Sequence, residues 1–330
     1  MILPAIARSM LVAALFAAAP TVTPALARAE AKLQLSQPGY HRFTIGDIRV
    51  TALSDGTVPL DTKVLTNVSR RTVEALLAKA FVASPVDASV NAYLIELGDR
   101  LVLVDTGAGE LYGPGLKKLP EVLQAIGHPP DQITDILVTH IHTDHTGGLM
   151  DGERRVFPAA TLHVEQRELA FWLTPSNIER VPAPLKRLFR EAELKVRPYV
   201  EAGQVQTFDG ATQLFPGIRA VPSPGHTAGH TFYSLESKGQ TLMFWGDILH
   251  VAEVQLPQPA VTIEFDSDPA AAAAQRARVF ADAARRGYLV APAHIAFPGV
   301  GHLVRDAAGY RWIPLPYVND AVPAGTPESK

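Results

Sequence analysis

The segment Thr139-His140-Ile141-His142-Thr143-Asp144-His145-Thr146-Gly147-Gly148 places four potential metal ligands within six residues: His140, His142, Asp144 and His145. A single tetrahedral centre takes four ligands in all and rarely draws so many from one loop. This density suits two neighbouring metals. Imidazole and carboxylate donors favour zinc and also accept manganese, cobalt or iron. Two such ions ~3.5–4 Å apart can share a hydroxide, make it a nucleophile at neutral pH and clamp a reacting oxygen. A closed structural zinc needs only four ligands and favours cysteine, which this chain lacks.

The elements around the cluster must bring its partners to it. Ile133–Thr139 is a β-branched apolar run of strand length, so the ligands sit where a buried strand ends. Gly147 and Gly148 are expected to let the chain turn tightly. His226, Asp247 and His294 each follow a further apolar, strand-like run. If those strands point the same way at one edge, seven ligands converge.

Strands are expected at Ile48–Leu53, Ala92–Leu97, Leu101–Val104, Thr161–Val164, Val205–Phe208, Ile218–Val221, Thr231–Leu235, Thr241–Trp245 and Tyr288–Ala291. Helices are expected at Leu116–Ile126 (closed by Gly127), Glu165–Leu173, Pro182–Lys195 and the Ala-rich Asp268–Arg286. The helix from Pro182 reads as part of an insertion over the site. Strands in two runs, with helices between and after them, suggest two packed sheets with helices outside, four layers in one domain. A doubly wound parallel sheet is the competing pattern.

The N-terminus is unlike the rest. Arg8 precedes the apolar stretch Met10–Ala19, and Ala25-Leu26-Ala27 is a small-x-small cleavage pattern. Residues 1–27 therefore read as a signal peptide of an exported, periplasmic or secreted protein. The stretch is shorter than the ~20 residues a membrane span needs, so no stable anchor is expected. Residues 28–330 form the expected domain, with a loosely ordered start at 28–40 and a disordered polar tail at 321–330. A hydrophobic content of 47% and charged content of 19% describe a globular protein. The 30 basic and 33 acidic residues give −3 and no basic stripe, which argues against nucleic acid as a partner.

His140-x-His142-x-Asp144-His145, with His226, Asp247 and His294, resembles the metallo-β-lactamase superfamily. The resemblance implies an αββα sandwich. It also implies that His140, His142 and His226 hold one metal, that Asp144, His145 and His294 hold the other, and that Asp247 bridges both. Asp105 matches the family's aspartate that orients a ligand. The β-lactamases of this superfamily generally carry cysteine or serine at the position of Asp247, which moves the reading away from antibiotic hydrolysis.

Further stretches are similar to exported methyl parathion hydrolases and their lactonase relatives. They are Ala52–Val58, Leu103–Gly107, Phe171-Trp172-Leu173, Val200–Gly203 and Phe297–His302. This resemblance implies a homodimer and a pocket in which Tyr112, Trp172 and Phe189 surround the leaving group. For Trp172 and Phe189, core packing is the competing reading. The pocket is also expected to include His250, Ile263 and Phe265, and His250 and Phe265 stand where efficient phosphotriesterases carry smaller or aliphatic residues. They imply a narrower, flatter site suited to lactones and aryl esters, with organophosphate triesters as secondary substrates. Asp144 or Asp247 could carry the proton. Phosphotriesterase as the main activity, a β-lactamase and a non-catalytic metal-binding scaffold are the alternatives. His41, His128, His163 and His302 lack ligand spacing, and His230 reads as a structural hydrogen-bonder.

Overall fold

The computed structural model describes residues 37–181, 183–306 and 309–319. The signal-peptide and tail readings lie outside the described residues, as does Pro182 at the start of one expected helix. No helix among the described residues is long and apolar enough to cross a membrane.

Two seven-stranded sheets carry the fold. The first runs Tyr40–Ile45, Ile48–Leu60, Val86–Leu97, Arg100–Val104, Asp135–Leu137, Thr161–Glu165, Val205–Phe208. The second runs Thr212–Phe215, Ile218–Pro222, Thr231–Ser237, Gln240–Gly246, Leu289–Pro292, Gly301–Asp306, Gly309–Pro314. Side-chain alternation explains the layers. In the first sheet, Ile95, Val102, Val104 and Leu137 face the second sheet's Tyr233, Leu235, Leu242 and Phe244. Their neighbours Leu94, Leu103 and Ile136 face the opposite way, onto Leu119, Leu123, Val196 and Tyr199 of the helices Leu119–Ala125 and Lys186–Glu201. In the second sheet, Trp245 and Val290 pack on Val279, Phe280 and Ala283 of the helix Pro269–Arg286. Helix, sheet, sheet and helix are the four expected layers, and the doubly wound alternative is set aside.

Strand direction converges the site. Gln240–Gly246 lies parallel to Leu289–Pro292, and Ile218–Pro222 is related to Gln240–Gly246 by two antiparallel steps through Thr231–Ser237. These three strands therefore end at one edge, ahead of His226, Asp247 and His294. Arg100–Val104 and Asp135–Leu137 are parallel to each other, so Asp105 and His140 also leave a common edge. The sheets are joined there by Thr231 N–H donating to Thr139 O at 2.9 Å and Asn91 N–H to Ala293 O at 3.0 Å.

Several expected boundaries move, for identifiable reasons. The strand before the cluster ends at Leu137, not Thr139, because Thr139 N–H donates to the Asp105 carboxylate at 2.8 Å. The helix expected from Leu116 starts at Leu119, whose N–H is taken by Asp55. The helix expected to stop at Lys195 continues to Glu201 through Pro198. The strands Tyr40–Ile45, Thr212–Phe215, Gly301–Asp306 and Gly309–Pro314 and the helix Arg70–Lys79 were not anticipated. Gly147 and Gly148 do not serve a left-handed turn: Gly147 has φ −60°. They are needed for close approach, since a Cβ would lie 2.2 Å from Ala108 O at Gly147 and 1.9 Å from Thr106 O at Gly148.

Candidate metal centre

His140 and His142 follow the shortened strand, and Asp144 and His145 lie on the single helical turn Thr143–Thr146. The seven residues gather into two groups that share Asp247. One is His140, His142, His226 and Asp247; the other is Asp144, His145, His294 and Asp247. Within each, one donor atom per residue lies within 4.8 Å of all the others. Asp247 addresses them with different oxygens. Its Oδ1 is 3.0 Å from the Nε2 atoms of both His145 and His294. Its Oδ2 is 3.4 Å from His226 Nε2 and 3.6 Å from His140 Nε2.

The donor set fits a pair of cations. His140 Nε2, His145 Nε2 and Asp247 Oδ1 are buried and have no hydrogen-bond partner, a costly state for polar atoms in a core. His145 Nε2 and Asp247 Oδ1 sit 3.0 Å apart without the alignment of a hydrogen bond. Their lone pairs converge on shared space rather than on each other. Burial and neighbouring imidazoles hold His140 and His142 far below the usual histidine range. That favours in these two the neutral form, the one that ligates, while burial is outweighed by neighbouring carboxylates at His145, His226 and His294, whose pKa values rise.

Most of the imidazoles are fixed from behind, His140 by Thr139 Oγ1 at 3.1 Å from its Nδ1. Asp105 Oδ2 takes His145 Nδ1 at 2.8 Å, as expected for a ligand-orienting aspartate, and is itself held by Thr139 Oγ1 at 2.8 Å. His294 Nδ1 lies 2.8 Å from Ser89 O. His226 Nδ1 lies 2.9 Å from Asp266 Oδ1, a partner the sequence reading missed. His230 accepts Asp247 N–H at Nε2 (3.1 Å) and donates from Nδ1 to Ser223 O (3.1 Å). Burial lowers its pKa to about 3, so it is the neutral structural residue expected.

A cavity of about 610 Å³ opens over the centre. His142, Asp144, Asp247 and His294 reach its surface; Tyr112, Trp172, Phe189, His250 and Phe265 line it. Trp172 and Phe189 also belong to the core beneath the first sheet, so they both line the cavity and pack in the core. Their ring centroids are 4.7 Å apart, and Trp172 meets His142 edge-on at 5.4 Å. His250 Nε2 lies 3.1 Å from Asp247 Oδ2, and its ring stacks on His294 at 5.1 Å. Ile263 is a correction. It is fully buried and pairs with Leu65, packed among Val73, Val251 and Val254 away from the cavity surface. Phe171, Leu188 and Arg187 join the lining without having been anticipated.

With this geometry in place, the comparisons with known proteins are specific. The sequence pattern of the metallo-beta-lactamase superfamily matches residues 86–294. The hydrolase AbOPH, of the beta lactamase superfamily, is 32% identical with a TM-score of 0.82, over 86% of this chain and 100% of that one. AidC, a dizinc quorum-quenching lactonase solved in complex with a product, is 25% identical with a TM-score of 0.79, over 85% of this chain and 99% of that one. The acyl-coenzyme A thioesterase MBLAC2 of Homo sapiens is 28% identical over 179 residues, 48% of this chain and 58% of that protein. An atrochrysone carboxyl ACP thioesterase of Aspergillus novofumigatus is 29% identical over 161 residues, 48% of this chain and 37% of that protein. The chain thus spans roughly half or less of the length of these curated relatives. The chain belongs to the metallo-beta-lactamase superfamily and is a metal-dependent hydrolase.

Proposed function

We propose that this protein hydrolyses lactones and aryl esters, with organophosphate triesters as secondary substrates, at a centre that holds two divalent ions, zinc foremost. One observation carries the reading: both ligand groups lie at the floor of a single cavity whose wall is aromatic and aliphatic, from Tyr112 through Trp172 to Phe189. Such a wall binds an apolar acyl or aryl group while few polar contacts orient it. The likeness to a dizinc lactonase supports the same choice, as do the stretches that resemble methyl parathion hydrolases and their lactonase relatives.

His140, His142 and His226 would hold one ion and Asp144, His145 and His294 the other, with Asp247 between them. When bound, the ions supply a nucleophile from water at neutral pH and polarise the scissile carbonyl. The chain does the rest. The aromatic wall holds the apolar part of the substrate and excludes water. Asp247 is enclosed, with Oδ1 3.0 Å from the Nε2 atoms of both His145 and His294. Asp144 has 15% of its side chain exposed against 3% for Asp247, and it faces the cavity. Asp144 is therefore the carboxylate placed to carry a proton to the departing oxygen. His250 stands beside Asp247, Phe265 meets the His250 ring edge-on at 6.2 Å, and together they narrow the space, which suits a planar carbonyl better than a tetrahedral phosphorus.

A panel of dihydrocoumarin, an acyl-homoserine lactone, paraoxon, nitrocefin and an acyl-CoA thioester, with and without chelator, tests the reading. Chelator-sensitive turnover should be fastest on a lactone. Faster turnover of paraoxon would make phosphotriester hydrolysis the main activity. Faster turnover of nitrocefin or the thioester would replace the substrate class, and no turnover at all would leave a metal-binding scaffold.

A further inference from the structure

Glu168 is 1% exposed, and its four hydrogen-bond donors are all neutral. Oε1 accepts the backbone N–H of Ile141 at 2.9 Å and the indole N–H of Trp172 at 2.7 Å. Oε2 accepts Thr227 Oγ1–H at 2.7 Å and the backbone N–H of Gly229 at 2.9 Å. These partners are not scattered. Ile141 lies between His140 and His142 in the chain. Thr227 follows His226. Trp172 is the cavity wall that touches His142. The approach is close enough that a Cβ on Gly229 would lie 2.6 Å from Glu168 N and Cβ. The second group hangs from other anchors, Asp105 behind His145 and the Ser89 carbonyl behind His294. Burial raises the Glu168 pKa, opposed by the hydrogen bonds it receives.

We infer that Glu168 is a positioning residue that fixes His140, His142 and His226 relative to one another and to the aromatic wall, and leaves Asp144, His145 and His294 to separate anchors. The inference rests on the two-ion reading above. A carboxylate can serve four donors at once because it has only acceptors. A glutamine cannot. Its NH₂ would face either Ile141 N–H and Trp172 N–H, or Thr227 and Gly229 N–H. Only the threonine hydroxyl could turn to accept, so either the Ile141 and Trp172 bonds or the Gly229 bond is lost, and one side of the bridge is released.

The test is a chelator-competition titration of cobalt or zinc on the full-length protein, with Glu168→Gln and Thr227→Val beside the wild type. KM and kcat for dihydrocoumarin are measured at saturating metal. The wild type should bind two ions per chain. Glu168→Gln should keep one ion and lose affinity for the other by no more than about 10–100-fold, the loss that follows removal of a ligand's own supporting hydrogen bond, because Glu168 acts on the ligands through their chain neighbours. Its KM should rise while kcat holds, because Trp172 loosens with the helix that carries Glu168. Thr227→Val removes a single donor at constant shape and should weaken the same ion to a smaller degree. If Glu168→Gln does not fold by circular dichroism, Thr227→Val decides. Two ions held with wild-type affinity in folded variants, equal weakening of both ions, or an unchanged KM would overturn the inference. A wild type that binds no ions would instead overturn the two-ion reading on which it stands.

Discussion

His226 Nδ1 lies 2.9 Å from Asp266 Oδ1, while the other oxygen of Asp266 receives the backbone N–H of Ile263 at 3.2 Å. One buried carboxylate thus orients an imidazole of the first group and pins the segment that carries Phe265. Arg276, itself buried, stands 3.8 Å behind it and donates to the carbonyls of Ile248 and Val261. Asp266→Ala should reduce affinity for one of the two ions by about 10–100-fold. Metal-competition titration reads this directly. Unchanged affinity would reduce Asp266 to a packing role.

The aromatic wall predicts a binding effect without a chemical one. Phe189 contacts Trp172 and Phe171, with ring centroids 4.7 and 5.2 Å away. Phe189 also lines the cavity, and Phe189→Leu removes the ring it offers to an aryl substrate, a contact worth about 0.5–1.5 kcal/mol, so KM for such a substrate should rise about two- to tenfold. Steady-state kinetics at saturating metal should show kcat retained. A fall in kcat with KM unchanged would place Phe189 elsewhere in the reaction.

Ligands held only in the fold couple metal to stability. At free metal near a thousand times the dissociation constant, one ion adds about 4 kcal/mol. For a chain of this size that shifts the unfolding midpoint on the order of 10 °C. Differential scanning calorimetry with and without chelator measures it. An identical midpoint would mean that the groups bind no ion.

Far from the site, Asp135 predicts a pH effect. Burial opposes its ionisation, but hydrogen bonds from His163 (2.9 Å), Thr134 (2.8 Å) and Arg100 (2.8 Å) outweigh it and lower its pKa. A depressed carboxylate stabilises the fold above its unfolded value of about 4 and loses that contribution as pH falls through the folded value. Asp135→Asn should therefore cost on the order of 2 kcal/mol near neutrality and progressively less in acid. Urea unfolding across pH, in chelator so that metal loss does not contribute, should show the two curves converging at low pH.

The candidate metal ligands were legible because four of them are local and the other three follow apolar runs that end at one edge. Their division between two ions came from the resemblance to the superfamily. The layered fold was readable for a related reason: strands buried on both faces are apolar at successive positions, as in Leu94 and Ile95. Glu168 and Asp266 were not readable. A glutamate on an amphipathic helix and an aspartate before a helix cap both look solvent-facing until distant segments close over them. Ile263 failed in the opposite sense. Its neighbour Phe265 reaches the cavity, but pairing of Thr262–Ile263 with Leu65–Thr66, remote in the chain, turns Ile263 into a satellite core. Helix and strand ends moved where a side chain captured a backbone N–H, as Asp105 does at Thr139 and Asp55 at Leu119.

The central claim, a two-ion hydrolase of lactones, is tested most directly by adding zinc to chelator-stripped protein and following dihydrocoumarin hydrolysis. Activity should be absent without metal and return to a plateau at two ions per chain, and His142→Ala should recover neither the full stoichiometry nor the rate. Full activity in the stripped protein, or a plateau reached with no ion bound at these residues, would contradict it.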